Sequence, residues 1–278
     1  MGFRLANVAD RAVLVHDGRY YDVERLSNGA LGPDPMDAVR DGDMLTRLAG
    51  ELSRHEASGD IDDVVLGAPV PRPRNSYAVG LNYRSHVAEA DMDLPEVPLV
   101  FTKFPRCIVG PTAEVDLRTE HGDYEAEMVV VIGRSGRDIA PGDAWGHVLG
   151  VTVGQDISDR ALQFAAQPPH FDLGKSRDTY GPTGPYLVSA DLLDDRDDLA
   201  ITCDVNGERR QDSTTANLIF DVPTLVAYIS GITTLEPGDL IFTGTPEGVG
   251  AVQGSFLAPG DVITTTLAGV GTLTNVCR

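Results

Sequence analysis

Asp123-Tyr124-Glu125-Ala126-Glu127-Met128-Val129-Val130-Val131-Ile132-Gly133 carries two carboxylates, two residues apart, straight into an apolar and β-branched run. The composition of the run reads as a strand. Side chains on a strand alternate faces with period two, so Glu125 and Glu127 point the same way while Ala126 keeps the opposite face small. Two like charges held side by side repel, and a hard divalent cation that takes carboxylate oxygens would offset the repulsion. Taken alone, the Glu-x-Glu pattern fits equally an edge strand with its polar face in water.

Outward from this strand, the composition narrows the class. The chain has 278 residues, 42% hydrophobic and 23% charged, and this is the range of a globular protein with ample core. No apolar stretch approaches the roughly 18 residues of a membrane span, and Met1–Ala6 lacks the basic-then-apolar pattern of a secretion signal. Three cysteines, Cys107, Cys203 and Cys277, lie far apart without zinc or redox spacing, and a cytoplasmic protein with reduced thiols is expected. The formal net charge of −20 argues against nucleic acid, which requires a basic face. It also repels anionic small molecules, so the cations near the carboxylates become informative. Of the 22 basic residues only Lys103 and Lys175 are lysine. Arg and Lys differ in shape and hydration, which marks both lysines as positions where a compact ammonium is needed.

Along the chain, residues 1–70 look like a small appended N-terminal α/β unit. Phe3–Val8, Ala12–His16 and Arg19–Val23 read as short strands, and Met36–Glu56 has helical spacing interrupted near Asp41-Gly42-Asp43. Gly67–Arg74 is proline-rich and extended, and is expected to hold this unit apart from residues 71–278. Tyr77–Glu89 reads as a strand running into a short helix on which His86 and Glu89, three apart, are neighbours. A carboxylate against an imidazole raises its basicity and fixes its tautomer, as a general base needs, although such pairs also occur as surface decoration. His147–Asp156 reads as a buried strand with Asp156 at its end, where ligands tend to bind. On the following short helix Arg160 and Gln163 share a face. Gly174-Lys175-Ser176 is not a phosphate loop, because Pro169 stands where its first glycine belongs. No nucleophile elbow or paired-cysteine site occurs. The last third alternates strands and turns, with a helix near Val222–Ile229, a glycine-rich loop at Thr243–Gly250 and a closing hairpin. The fold class is mixed α+β and β-rich.

The ordered set Gly80-Leu81-Asn82-Tyr83-x-x-His86-x-x-Glu89, Asp123-Tyr124-Glu125-x-Glu127, Asp156-x-x-x-Arg160-x-x-Gln163, Lys175-x-x-Asp178-Thr179-Tyr180 and Thr243-Gly244-Thr245-Pro246-Glu247-Gly248 resembles the fumarylacetoacetate hydrolase family from about Pro71 to the C-terminus. The resemblance implies a mixed β-sandwich roll, usually a homodimer, that works with a divalent cation, Mg²⁺ or Mn²⁺. It implies Glu125, Glu127 and Asp156 as metal ligands and His86 with Glu89 as the dyad that activates water. Lys175 would be a catalytic cation, and Arg160, Gln163 and Thr245 substrate contacts. Arg177, Gly181 and Cys107 depart from residues common in relatives, which touches substrate identity more than mechanism.

Three carboxylates leave open positions on an octahedral ion, so a 2-oxo acid or 1,3-dicarbonyl could chelate there and its enolate be stabilised. Lys175 would add a second positive charge. The expected activity is hydrolysis of a C–C bond in an acylpyruvate or related β-diketo acid. The alternatives are decarboxylation of oxaloacetate or isomerisation of a 2-oxo acid on the same site, or a non-catalytic metal-binding protein. Lys175→Arg is expected to lose catalysis. Lys103→Arg is expected to be milder, since no contact can be assigned to Lys103 from sequence.

Overall fold

The glutamate strand extends over Ala126–Ile132, and all seven of its residues are buried. It is no edge: Val148–Gln155 and Leu240–Phe242 flank it, both antiparallel. Such a strand has apolar neighbours on both faces, which accounts for the unbroken Met-Val-Val-Val-Ile run. In the computed structural model, which describes residues 2–89 and 91–278, the large mixed sheet runs in the order Gly59–Asp60, Arg19–Asp22, Arg11–His16, Arg4–Val8, Gly181–Val188, Val148–Gln155, Ala126–Ile132, Leu240–Phe242, Ser76–Gly80, Leu99–Thr102. A second, antiparallel sheet of Glu208–Thr214, Ala200–Val205, Val262–Leu267 and Gly271–Val276 packs against its centre. One apolar core joins the layers. The fold is thus the mixed, strand-rich sandwich expected.

The register gathers several chain segments at one end of the sheet. Ala126 lies opposite Gln155, Val129 opposite Phe242, and Leu240–Phe242 runs parallel to Ser76–Gly80. The start of the glutamate strand therefore sits beside the ends of its neighbours, where Asp156, Thr245 and the helix Arg84–Glu89 follow. The paired register of the strand begins at Ala126, so Glu125 stands just before it, its carbonyl accepting from Asp156 N at 2.9 Å.

The proline-rich stretch does not hold two bodies apart. Arg4–Val8 pairs with Gly181–Val188, with Leu5 opposite Leu187, and Leu66–Gly67 pairs back onto the same N-terminal strand. Leu5, Ala6 and Asn7 are buried, as befits an interior strand, and Asn7 Nδ2 donates to the Ala68 carbonyl at 2.9 Å. Within the first 70 residues the helical stretch is broken where Asp41 caps Gly42–Ala49, accepting from Met44 N at 2.9 Å.

Candidate active site

Buried backbone needs partners, and at the start of the glutamate strand two glutamines supply them. Gln155 Oε1 accepts from Glu125 N, and Gln211 Oε1 accepts from Ala126 N, each at 2.9 Å. Gln211 also donates to Thr245 Oγ1 at 2.9 Å, so one amide ties the strand to the glycine-rich loop. With the backbone fixed in this way, oxygens of Glu125, Glu127 and Asp156 lie within 4.8 Å of one another, and all three residues are buried.

The three carboxylates are unequally compensated. Glu125 accepts from Arg160 Nη2 at 2.6 Å and from Lys175 Nζ at 2.6 Å. Burial would raise its pKa, but Lys175 and then Arg160 outweigh burial and hold it below the usual carboxylate range. Asp156 accepts from both lysines of the chain, Lys103 at 2.5 Å and Lys175 at 2.8 Å. Among the described residues, Glu127 accepts from the Gly244 N–H alone, at 2.7 Å. Burial, reinforced by the charges of Asp156 and Glu125, pushes it well above the ordinary range. Gly244 can come this close because its φ is +102° and a Cβ there would meet Asn82 Cβ at 2.8 Å and Val79 O at 3.0 Å. With every carboxylate ionised and Asp123 counted, four carboxylates against Lys103, Arg160 and Lys175 leave one formal negative charge, which a divalent ion would convert to one positive. An all-oxygen donor set with one under-compensated carboxylate fits a hard divalent cation.

Above the carboxylates lies a cavity of about 280 Å³, whose lining includes His86, Glu125, Arg160, Gln163, Lys175 and Thr245. The helix Arg84–Glu89 brings His86 Nδ1 to 3.1 Å from Glu89 Oε1. Glu89 is in turn held by the N–H of Gly248, at 3.1 and 3.0 Å to its two oxygens. Gly248 has φ +98°, and a Cβ there would fall 2.0 Å from Arg210 O. Arg160 is oriented by Asp123 Oδ2, 2.8 Å from Nε, and by Gln163 Oε1, 2.9 Å from Nη1. Asp123 itself accepts from the N–H groups of Tyr124, Gly250 and Ala251. Lys175 also donates to Ser158 Oγ at 2.9 Å, and Asp156 and Glu125 more than offset the cost of its burial, raising its pKa.

All nine residues named from sequence thus come together: six line the cavity, Glu127 and Asp156 complete the carboxylate group, and Glu89 stands behind His86. The structure adds Lys103, to which the sequence assigned no contact. Its side chain is fully buried and its Nζ donates to Asp156, to the Tyr180 carbonyl at 3.0 Å and to the Lys175 carbonyl. Lysine scarcity marked the position, but nothing local linked it to Asp156. Asp123, Gln155 and Gln211 were likewise unassigned, and their partners are distant in sequence.

The profile of the fumarylacetoacetate (FAA) hydrolase C-terminal family matches residues 75–278. The oxaloacetate tautomerase YisK of Bacillus subtilis is 42% identical over 223 residues, 77% of this chain and 73% of that one. A Mycobacterium smegmatis protein crystallised under the name HpcE superposes with a TM-score of 0.92 at 43% identity, covering 99% of this chain and 98% of that one. The maleylpyruvate hydrolase of Sphingobium sp. SYK-6, crystallised with manganese(II) and pyruvate, superposes with a TM-score of 0.82 at 28% identity, covering 99% and 98%.

Proposed function

This chain belongs to the fumarylacetoacetate hydrolase family, and on that premise we propose that it interconverts a small 2-oxo acid and its enol, as an oxaloacetate-type tautomerase, with Mg²⁺ or Mn²⁺ held by Glu125, Glu127 and Asp156. The observation that carries this reading is the His86 imidazole, fixed by Glu89 and facing the cavity above the three carboxylates. When bound, the ion supplies positive charge for the carboxylate and 2-oxo oxygens of the substrate. His86 removes a proton from C3 and returns it, while Glu89, pinned by Gly248, keeps the ring in one tautomer and orientation. Lys175, pinned by Glu125, Asp156 and Ser158, holds its positive charge near the oxygen on which negative charge develops. The tautomerase relative is the stronger match, at 42% identity against 28% for the hydrolase. Decay of the enol absorbance of oxaloacetate tests the reading. Wild-type protein with Mn²⁺ should accelerate it, and EDTA or His86→Ala should remove the acceleration while His86→Ala still binds Mn²⁺. No acceleration by the Mn²⁺-loaded wild type would overturn it.

Hydrolysis of an acylpyruvate, the activity expected from sequence, is the second reading. It is favoured by the extent of the cavity, which continues past the carboxylates along Leu99, Phe164 and Phe171. Release of pyruvate from acetylpyruvate separates it from tautomerisation.

A further inference from the structure

The cavity is chemically two-faced. Beside the carboxylate and cation cluster its lining is hydrocarbon: Met92, Leu99, Phe164, Phe171 and Val252. Phe171 is braced edge-on by Phe101, with ring centroids 5.4 Å apart. Met92, Phe164 and Val252 are about half exposed, at 55%, 53% and 47%. Several large apolar side chains left in water around one opening mark a surface that something apolar covers.

The basic side chains lining the cavity, among the described residues, are His86, Arg160 and Lys175. Each is already engaged by carboxylates: His86 by Glu89, Arg160 by Asp123 and Glu125, Lys175 by Glu125 and Asp156. Arg160 and Lys175 are thereby held at the carboxylate cluster, so none of the described lining residues pairs a charge lodged beyond C4 against the hydrocarbon, where a carboxylate without a partner is strongly disfavoured. The surrounding field, from a chain of net charge −20, opposes a further negative charge as well. We propose that the site selects 2-oxo acids whose carbons beyond C4 form an uncharged, apolar tail, and discriminates against acids of the same length that end in a second carboxylate. The inference rests on the enol-forming reading above, and it concerns a region where oxaloacetate has no atoms.

The test is a matched pair, 2-oxohexanoate and 2-oxohexanedioate, with 2-oxobutanoate as the short reference. Proton NMR in D₂O follows loss of the C3 protons in the presence of Mg²⁺-loaded full-length protein. Exchange kcat/KM should rise about fourfold per methylene from 2-oxobutanoate to 2-oxohexanoate, the ratio for burying one CH₂, and should be at least about tenfold lower for the dianion. Phe164→Arg, at a half-exposed position, should abolish or reverse the preference. Equal kcat/KM for the matched pair in the wild type, or a preference for the dianion, would overturn the proposal. If no acid exchanges and oxaloacetate enol is not consumed, it is the tautomerase reading that fails. Calorimetric titration of the Mn²⁺-loaded protein with the same two acids then decides the tail preference: tighter binding of 2-oxohexanoate supports it, and equal affinity overturns it.

Discussion

Replacing Lys103 by Met should unsettle the whole site from beneath. The ammonium is fully buried against Asp156 at 2.5 Å and satisfies two carbonyls besides. Removing one member of a buried ion pair costs about 3–5 kcal/mol, because the other charge stays behind. The Lys175 carbonyl loses its bond as well, for about 1–3 kcal/mol. Tyr180 O keeps the Ile157 N–H at 3.1 Å, Asp156 keeps Lys175 at 2.8 Å, and the methionine returns some apolar burial. The balance is a loss of about 4 kcal/mol, against the roughly 5–15 kcal/mol by which a domain is stable. At about 2–4 °C per kcal/mol for a chain of this size class, the melting temperature should fall by about 10 °C. Calorimetry and urea titration of the metal-free protein measure it. A fall under about 2 °C would mean that packing replaces the ion pair and would refute this reasoning. Lys103→Arg should destabilise about as much as Lys103→Met, because a fully packed site has no room for the larger guanidinium.

Lys175→Arg keeps the charge but cannot place a compact ammonium between Glu125, Asp156 and Ser158. Enol turnover should drop about 100-fold, roughly 2.7 kcal/mol of barrier, with Mn²⁺ affinity by calorimetry changed far less, and near-wild-type turnover would show that charge alone suffices. Glu127→Gln should remove calorimetric Mn²⁺ binding while raising the melting temperature of the metal-free protein. Because the folded state holds the Glu127 pKa well above its unfolded value, its contribution to stability is fully present below the unfolded pKa and is lost as pH rises through the folded one. Metal-free wild type should therefore lose melting temperature with rising pH relative to Glu127→Gln, and saturating Mg²⁺ should cancel the difference; parallel pH profiles would contradict it. Glu89→Gln should cut proton transfer by about tenfold or more and alter its pH profile without affecting Mn²⁺ binding, and an unchanged profile would detach Glu89 from His86.

The features legible in the sequence are those set by local geometry. Period two puts Glu125 and Glu127 on one side of the backbone, helical spacing makes His86 and Glu89 neighbours, and a strand end places Asp156 where a ligand would sit. The rarity of lysine singled out Lys103 and Lys175 without any contact being known. Only the tertiary structure decided what those residues meet. Lys103 reaches Asp156 across 53 positions and Gln211 reaches Ala126 across 85, and no local period encodes such pairings, because they are fixed by strand order and register. The first 70 residues show the same division. Their strands and broken helix follow from local pattern, but that Leu5 lies opposite Leu187 in the main sheet depends on an edge supplied by a strand more than half the chain away.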